Sequence, residues 1–144
     1  MGERDMWGWK RKKLAVALVC ADWRLHQHQV DMNRRLAKLL RVQGVDLVAV
    51  PGPDGLAKPE RGAEWQAAVG QIRFLVAAHA PRVLVVVAHQ RCAGHPVSDA
   101  EHEVDVVATA KALKAETEFP GPVRAMLMVY RSDTSWDFKS IGQF

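Results

Sequence analysis

Five consecutive aliphatic residues, Val83-Leu84-Val85-Val86-Val87, constrain this chain more than any other feature. They follow Pro81-Arg82 and lead into Ala88-His89. A β-rich run with no polar alternation has no side to turn toward water. It suits a strand covered on both faces, as in a parallel sheet between helices. Leu14–Cys20 is a second run of the same kind. Asp46–Val50 is a shorter one, stopped by the turn cluster Pro51-Gly-Pro-Asp-Gly55, and Val123–Val129 is a fourth.

Helix-length segments separate these runs. From His28 to about Arg41, Val30, Leu36, Leu39 and Leu40 recur at near-helical spacing among basic residues, and Gly44 is expected to follow the helix end. From Glu60 to about His79 the inner face is Trp65, Ala68, Val69, Ile72, Leu75 and Val76, with Pro81 as the stop. Ser98 to about Glu116 opens on a capping box, Ser98 with Glu101. The last dozen residues show no clear period. The order β-α-β-α-β-α-β predicts an α/β fold, a mainly parallel sheet of order 2-1-3-4 with helices on both faces. Ligands of such sheets bind beyond the carboxyl ends of the strands, where the strand order reverses. Here that is between the first and third strands, which end at Cys20 and just before His89.

Charge and length limit the function classes. The net charge is +4, but residues 1–13 hold Arg4, Lys10, Arg11, Lys12 and Lys13 against Glu3 and Asp5. From Leu14 onward 15 basic residues face 14 acidic ones, so the body is nearly neutral and no nucleic-acid surface is expected. We read residues 1–13 as a basic lead-in and 14–144 as one α/β domain. No apolar run reaches the ~18–20 residues of a membrane span. Lys10–Lys13 before Leu14–Val19 has the order of a secretory signal. The apolar part is short, however, and Cys20-Ala-Asp-Trp-Arg24 follows without a small-residue cleavage site, so a strand and a cytoplasmic protein are expected.

The two cysteines, Cys20 and Cys92, suit a reducing compartment as core residues, ligands or catalytic groups. His89-Gln-Arg-Cys92 is an H-x-x-C pair, able to set an imidazole nitrogen and a sulfur a metal's width apart on a tight loop. By itself it more often marks a core cysteine beside a capping histidine. Cys20, at the end of the neighbouring strand, adds a third soft donor. Two thiolates and one imidazole suit Zn2+ and leave a fourth position for water. Alternation past the strand end would turn Cys20, Asp22 and Arg24 to the crevice, with Ala21 and Trp23 turned away. Asp22 could then accept a hydrogen bond from a metal-bound water, and Arg24 could grip Asp22 bidentately; a plain surface ion pair is the other reading.

Cys20-x-Asp22-x-Arg24, followed about seventy residues later by His89-x-x-Cys92, resembles the β-class carbonic anhydrases at all five positions. The similarity runs from about Leu14 to Val129. It implies that Cys20, His89 and Cys92 bind zinc and that Asp22 and Arg24 form the dyad beside the zinc water. It also implies a dimer or higher even-numbered homo-oligomer, to which the aromatic Trp7 and Trp9 are expected to contribute. The reaction implied is hydration of carbon dioxide to bicarbonate by a zinc-bound hydroxide. The chain departs from the family pattern before the first strand, at Pro51-Gly-Pro-Asp54 where Arg-Asn-Ala-Gly is usual, at Ala93, and in lacking a pocket glutamine. Two alternatives therefore stand beside carbon dioxide hydration: hydrolysis of carbonyl sulfide or carbon disulfide on the same site, and a non-catalytic zinc-binding module. His26, His28, His95 and His102 are candidate proton shuttles but are expected to be surface histidines, and Trp23 and Trp65 packing residues.

Overall fold

The computed structural model describes residues 7–144. Of the basic lead-in, Arg4, Glu3 and Asp5 lie outside the described residues. The strands are β1 (Leu14–Cys20), β2 (Gly44–Val50), β3 (Val83–His89), β4 (Val123–Ser132) and β5 (Ser135–Gln143). The helices are α1 (Trp23–His26), α2 (Met32–Leu40), α3 (Gly62–His79) and α4 (Asp99–Thr117). They build an α/β fold around one sheet of order β2-β1-β3-β4-β5. The first four strands are parallel, as the aliphatic runs predict. β5 adds an antiparallel fifth strand to the expected order 2-1-3-4.

Period-two side-chain alternation divides the core between the two faces of the sheet. Val16, Leu18, Leu84 and Val86 join Trp65, Val69 and Ile72 of α3 and Val106, Ala110 and Leu113 of α4 on one face. Ala15, Ala17, Val19, Val85 and Val87 join Leu25, Met32 and Leu36 on the other, with Trp136 of β5. Every residue of β3 is buried, which accounts for its unbroken apolar run.

Boundaries differ from expectation where side chains cap helices. The chain makes the short α1 first. Asp31 then caps α2, its carboxylate accepting the Arg34 N–H, so that helix starts at Met32 rather than His28. Gly44 opens β2 instead of closing α2, whose end is set by Arg41 in the left-handed region at φ 55°. Ser98 caps α4 as expected, accepting the Glu101 N–H at 3.2 Å. β5 escaped the sequence reading because its alternation breaks. Ala125 pairs with Gly142 and Met126 with Ser140, which leaves Ile141 as a bulge residue and shifts the apolar period begun by Trp136 and Phe138. No helix among the described residues is long and apolar enough to cross a membrane.

A candidate metal centre at the sheet crevice

Parallel register decides what meets at the crevice. β1 lies beside β3 with Leu18 opposite Val86, so Cys20 and His89 leave the sheet side by side. The strand order reverses at this point. Beyond His89, Arg91 takes a left-handed conformation at φ 57°, which turns the chain sharply and brings Cys92 back toward Cys20. The two sulfurs lie 3.9 Å apart. One donor atom each from Cys20, His89 and Cys92 falls within 4.8 Å of the others, and all three residues are buried.

The donors are prepared for an ion. His89 Nδ1–H donates to the Gln90 carbonyl at 2.7 Å, which leaves Nε2 as the ring's lone-pair nitrogen. That Nε2 is buried and has no hydrogen-bond partner among the described residues. An unpaired buried acceptor costs about 1–3 kcal/mol unless something occupies it. Cys20 is pushed down to about 4, by hydrogen bonding from Cys92 first and with help from the Gly52 N–H, against the opposing effect of burial. Cys92 is pushed up, as the thiol that donates to Cys20 and as a buried group; the N–H groups of His95 and Gly94 act the other way. Two sulfurs and an imidazole nitrogen with no other partner fit a borderline-soft ion that prefers a tetrahedron.

Asp22 caps α1 rather than continuing strand alternation, accepting the Arg24 N–H at 2.9 Å. The cap folds Arg24 back onto its own cap residue. Nε donates to Oδ1 at 3.1 Å and Nη2 to Oδ2 at 2.8 Å, the expected bidentate grip by a different backbone route. Arg24 holds the Asp22 carboxyl below the usual carboxylate range, by its side-chain hydrogen bonds first. Arg24 is itself fixed: Nη2 also donates to the Arg91 carbonyl at 3.0 Å. Asp133 stands 3.7 Å from Nη1, and the guanidinium lies 5.3 Å from the Trp136 ring centre.

A cleft of about 230 Å³ opens on Cys20 and Asp22, walled by Ala21, Pro51, Ala93 and Gly94. Ala21 thus lines the cleft, against the expectation that it turns away. Gly52 and Gly94 are required where the β2–α3 and β3–α4 loops cross. A Cβ on Gly94 would lie 2.6 Å from the Gly52 nitrogen, and Gly52 itself has φ 54°.

Several expectations need correction. Trp23 is 68% exposed, so of the two expected packing residues Trp65 alone lies in the core. His26 and His28 are surface residues as expected, but His95 and His102 are buried against carboxylates. Trp136 was missed entirely. It is 2% exposed and its ring stands edge-on to His89 at 5.6 Å, so one side chain touches both a candidate ligand and Arg24. The Trp136-x-Phe138 alternation was its one sequence signal.

A comparison with curated proteins gave no match. A family model matches residues 10–136, a span that holds the Cys–His–Cys cluster, the Asp22–Arg24 pair and Trp136; on that match the chain belongs to the family described as "Putative carbonic anhydrase".

Proposed function

We propose that this protein is a zinc enzyme that interconverts carbon dioxide and bicarbonate. The observation that carries the reading is the buried Nε2 of His89, unpartnered among the described residues, beside the Cys20 and Cys92 sulfurs, with a cleft lined by Cys20 and Asp22 next to them. Cys20, His89 and Cys92 would hold the zinc. When bound, zinc supplies Lewis acidity and brings the ionisation of a water toward neutral pH.

The residues of the chain do the rest. Asp22, kept anionic by Arg24, would accept a hydrogen bond from the attacking oxygen and take no proton itself, because a carboxyl held this acidic is a poor base near neutrality; the proton that the water gives up on ionising passes to solvent. That bond turns the water's free lone pair toward the substrate. With a metal bound, the grip of Arg24 would keep Asp22 from becoming a ligand. Ala21, Pro51, Ala93 and Gly94 offer an apolar wall to a small molecule without charge. The cleft is smaller than the ~300–1,000 Å³ of ordinary ligand pockets, which favours a substrate of a few atoms.

Elemental analysis and stopped-flow carbon dioxide hydration test this together. The expected result is about one zinc per chain and a rate that rises from about pH 6.5 to 9, since two thiolates leave the metal less acidifying than three imidazoles would. Zinc-loaded protein inactive on carbon dioxide but active on carbonyl sulfide or carbon disulfide would move the assignment to those substrates. Inactivity on all three would leave a non-catalytic zinc module.

A further inference from the structure

The described residues hold a second concentration of buried charge beside the Cys–His–Cys cluster. Asp54 and His102 are 2% and 0% exposed, and His102 Nδ1 donates to Asp54 Oδ2 at 2.6 Å. The Thr109 hydroxyl donates to the Asp54 carbonyl at 2.8 Å. His95 Nε2 donates to Asp105 Oδ2 at 2.6 Å, and Lys58 Nζ lies 3.3 Å from the same oxygen. The two imidazoles meet edge to face at 5.6 Å.

The pairs share one support. His102, Asp105 and Thr109 occupy positions i, i+3 and i+7 of α4, one face of that helix. This face grips the β2–α3 loop through Asp54 and the β3–α4 loop through His95. Taking a carboxylate and an imidazole out of water is costly, and apolar packing would hold a helix on a sheet as well. What directional hydrogen bonds add is a fixed loop geometry. The loops touch closely: a Cβ on Gly55 would lie 2.6 Å from the His95 ring, and one on Gly52 would lie 2.6 Å from the Gly94 backbone. The same two loops present the Gly52 N–H to the Cys20 sulfur and the Gly94 and His95 N–H groups to the Cys92 sulfur.

We propose that Asp54, His95, His102 and Asp105 are positioning residues of the metal centre, which hold the two loops so that their amides donate to the Cys20 and Cys92 sulfurs. The inference rests on reading Cys20, His89 and Cys92 as metal ligands. Each N–H···S bond draws electron density from a thiolate, so the sulfurs neutralise the metal less fully. Partners one shell out from a metal commonly change its affinity by about 10–100-fold when removed.

Full-length protein, reduced and loaded with Co2+, reports this through its thiolate-to-cobalt absorption band, and zinc affinity is measured by competition with a chelator. His102→Ala and His95→Ala should move the band to lower energy and weaken zinc binding by about 10-fold or more. His102→Asn and His95→Gln return a donor to the Nδ1 and Nε2 positions respectively and should restore both readouts. Ile72→Ala, a core truncation in α3, should lower thermal stability and leave both unchanged. Should His102→Ala fail to fold, the His95→Ala and His95→Gln pair decides. Alanine variants that keep the wild-type band and affinity, or that change no more than Ile72→Ala, overturn the network and leave the metal centre standing. Wild-type protein that binds neither Co2+ nor Zn2+ overturns both.

Discussion

Replacing Arg24 by alanine separates the dyad's structural part from its chemical part. The side chain makes two charge-assisted hydrogen bonds to Asp22 and one to the Arg91 carbonyl, and it packs against Trp136. The side chains of both partners are only 16% and 14% exposed, so solvent screens the pair weakly. Hydrogen bonds to charged groups are worth about 1.5–3 kcal/mol each by deletion, and they are not additive. Asp22 would keep its bond from the residue-24 N–H and would gain some water. A net loss of about 3 kcal/mol near pH 7 follows, which lowers the melting midpoint by about 6–12 °C in a chain of this size. The pH dependence has a definite sign. Arg24 depresses the folded-state ionisation of Asp22, so the pair's contribution is complete above the unfolded carboxyl value of about 3.9 and fades as pH falls through the lower folded value. Urea unfolding of zinc-free, reduced wild type and Arg24→Ala should therefore show a full gap at pH 7 that narrows below about pH 4. In zinc-loaded protein the same substitution should reduce carbon dioxide hydration strongly, by freeing Asp22 to bind the metal. Arg24→Lys keeps the charge but not the planar fork, and should recover less than half of the stability. A gap under about 0.5 kcal/mol at pH 7, or one that widens in acid, would refute the reasoning.

Gly94→Ala forces a Cβ to within 2.6 Å of the Gly52 nitrogen and 2.8 Å of the Pro51 carbonyl carbon, backbone atoms that cannot rotate away. It should cost about 1–3 kcal/mol and abolish tight zinc binding, read by chemical unfolding and elemental analysis. Gly70→Ala is the converse: it lies inside α3 with nothing within 4 Å of a new Cβ, and should stabilise by about 0.5–1 kcal/mol in the same unfolding assay. Trp136→Leu removes the ring between His89 and Arg24. It should destabilise by about 2–4 kcal/mol and lower carbon dioxide hydration more than zinc content.

Much of the site was legible because its residues stand in short motifs at strand ends. Cys20-x-Asp22-x-Arg24 and His89-x-x-Cys92 carry their chemistry in their spacing, and the aliphatic runs before them place both motifs at the carboxyl ends of neighbouring parallel strands. His95 and His102 were misread for a related reason. A lone histidine among polar residues looks solvent-facing, and nothing local announces Asp54 at a distance of 48 residues or Asp105 on the next helix. The Asp22–Arg24 grip was expected on a wrong local premise. It forms because an N-cap, and not an extended strand, turns the chain after Cys20.

The sequence by itself determined the four parallel strands, the three long helices and their order, because buried strands, amphipathic helices and caps are written in periods of a few residues that each segment carries alone. Only the tertiary structure decided which side chains meet across long separations. The 3.9 Å between Cys20 and Cys92 depends on β1–β3 register and on the left-handed turn at Arg91. The contact of Trp136 with His89 depends on an antiparallel strand whose bulge hides its period. The Asp54–His102 pair depends on how α4 crosses two loops. Contacts of this kind follow from the packing of whole faces against one another, and no window of sequence contains both partners.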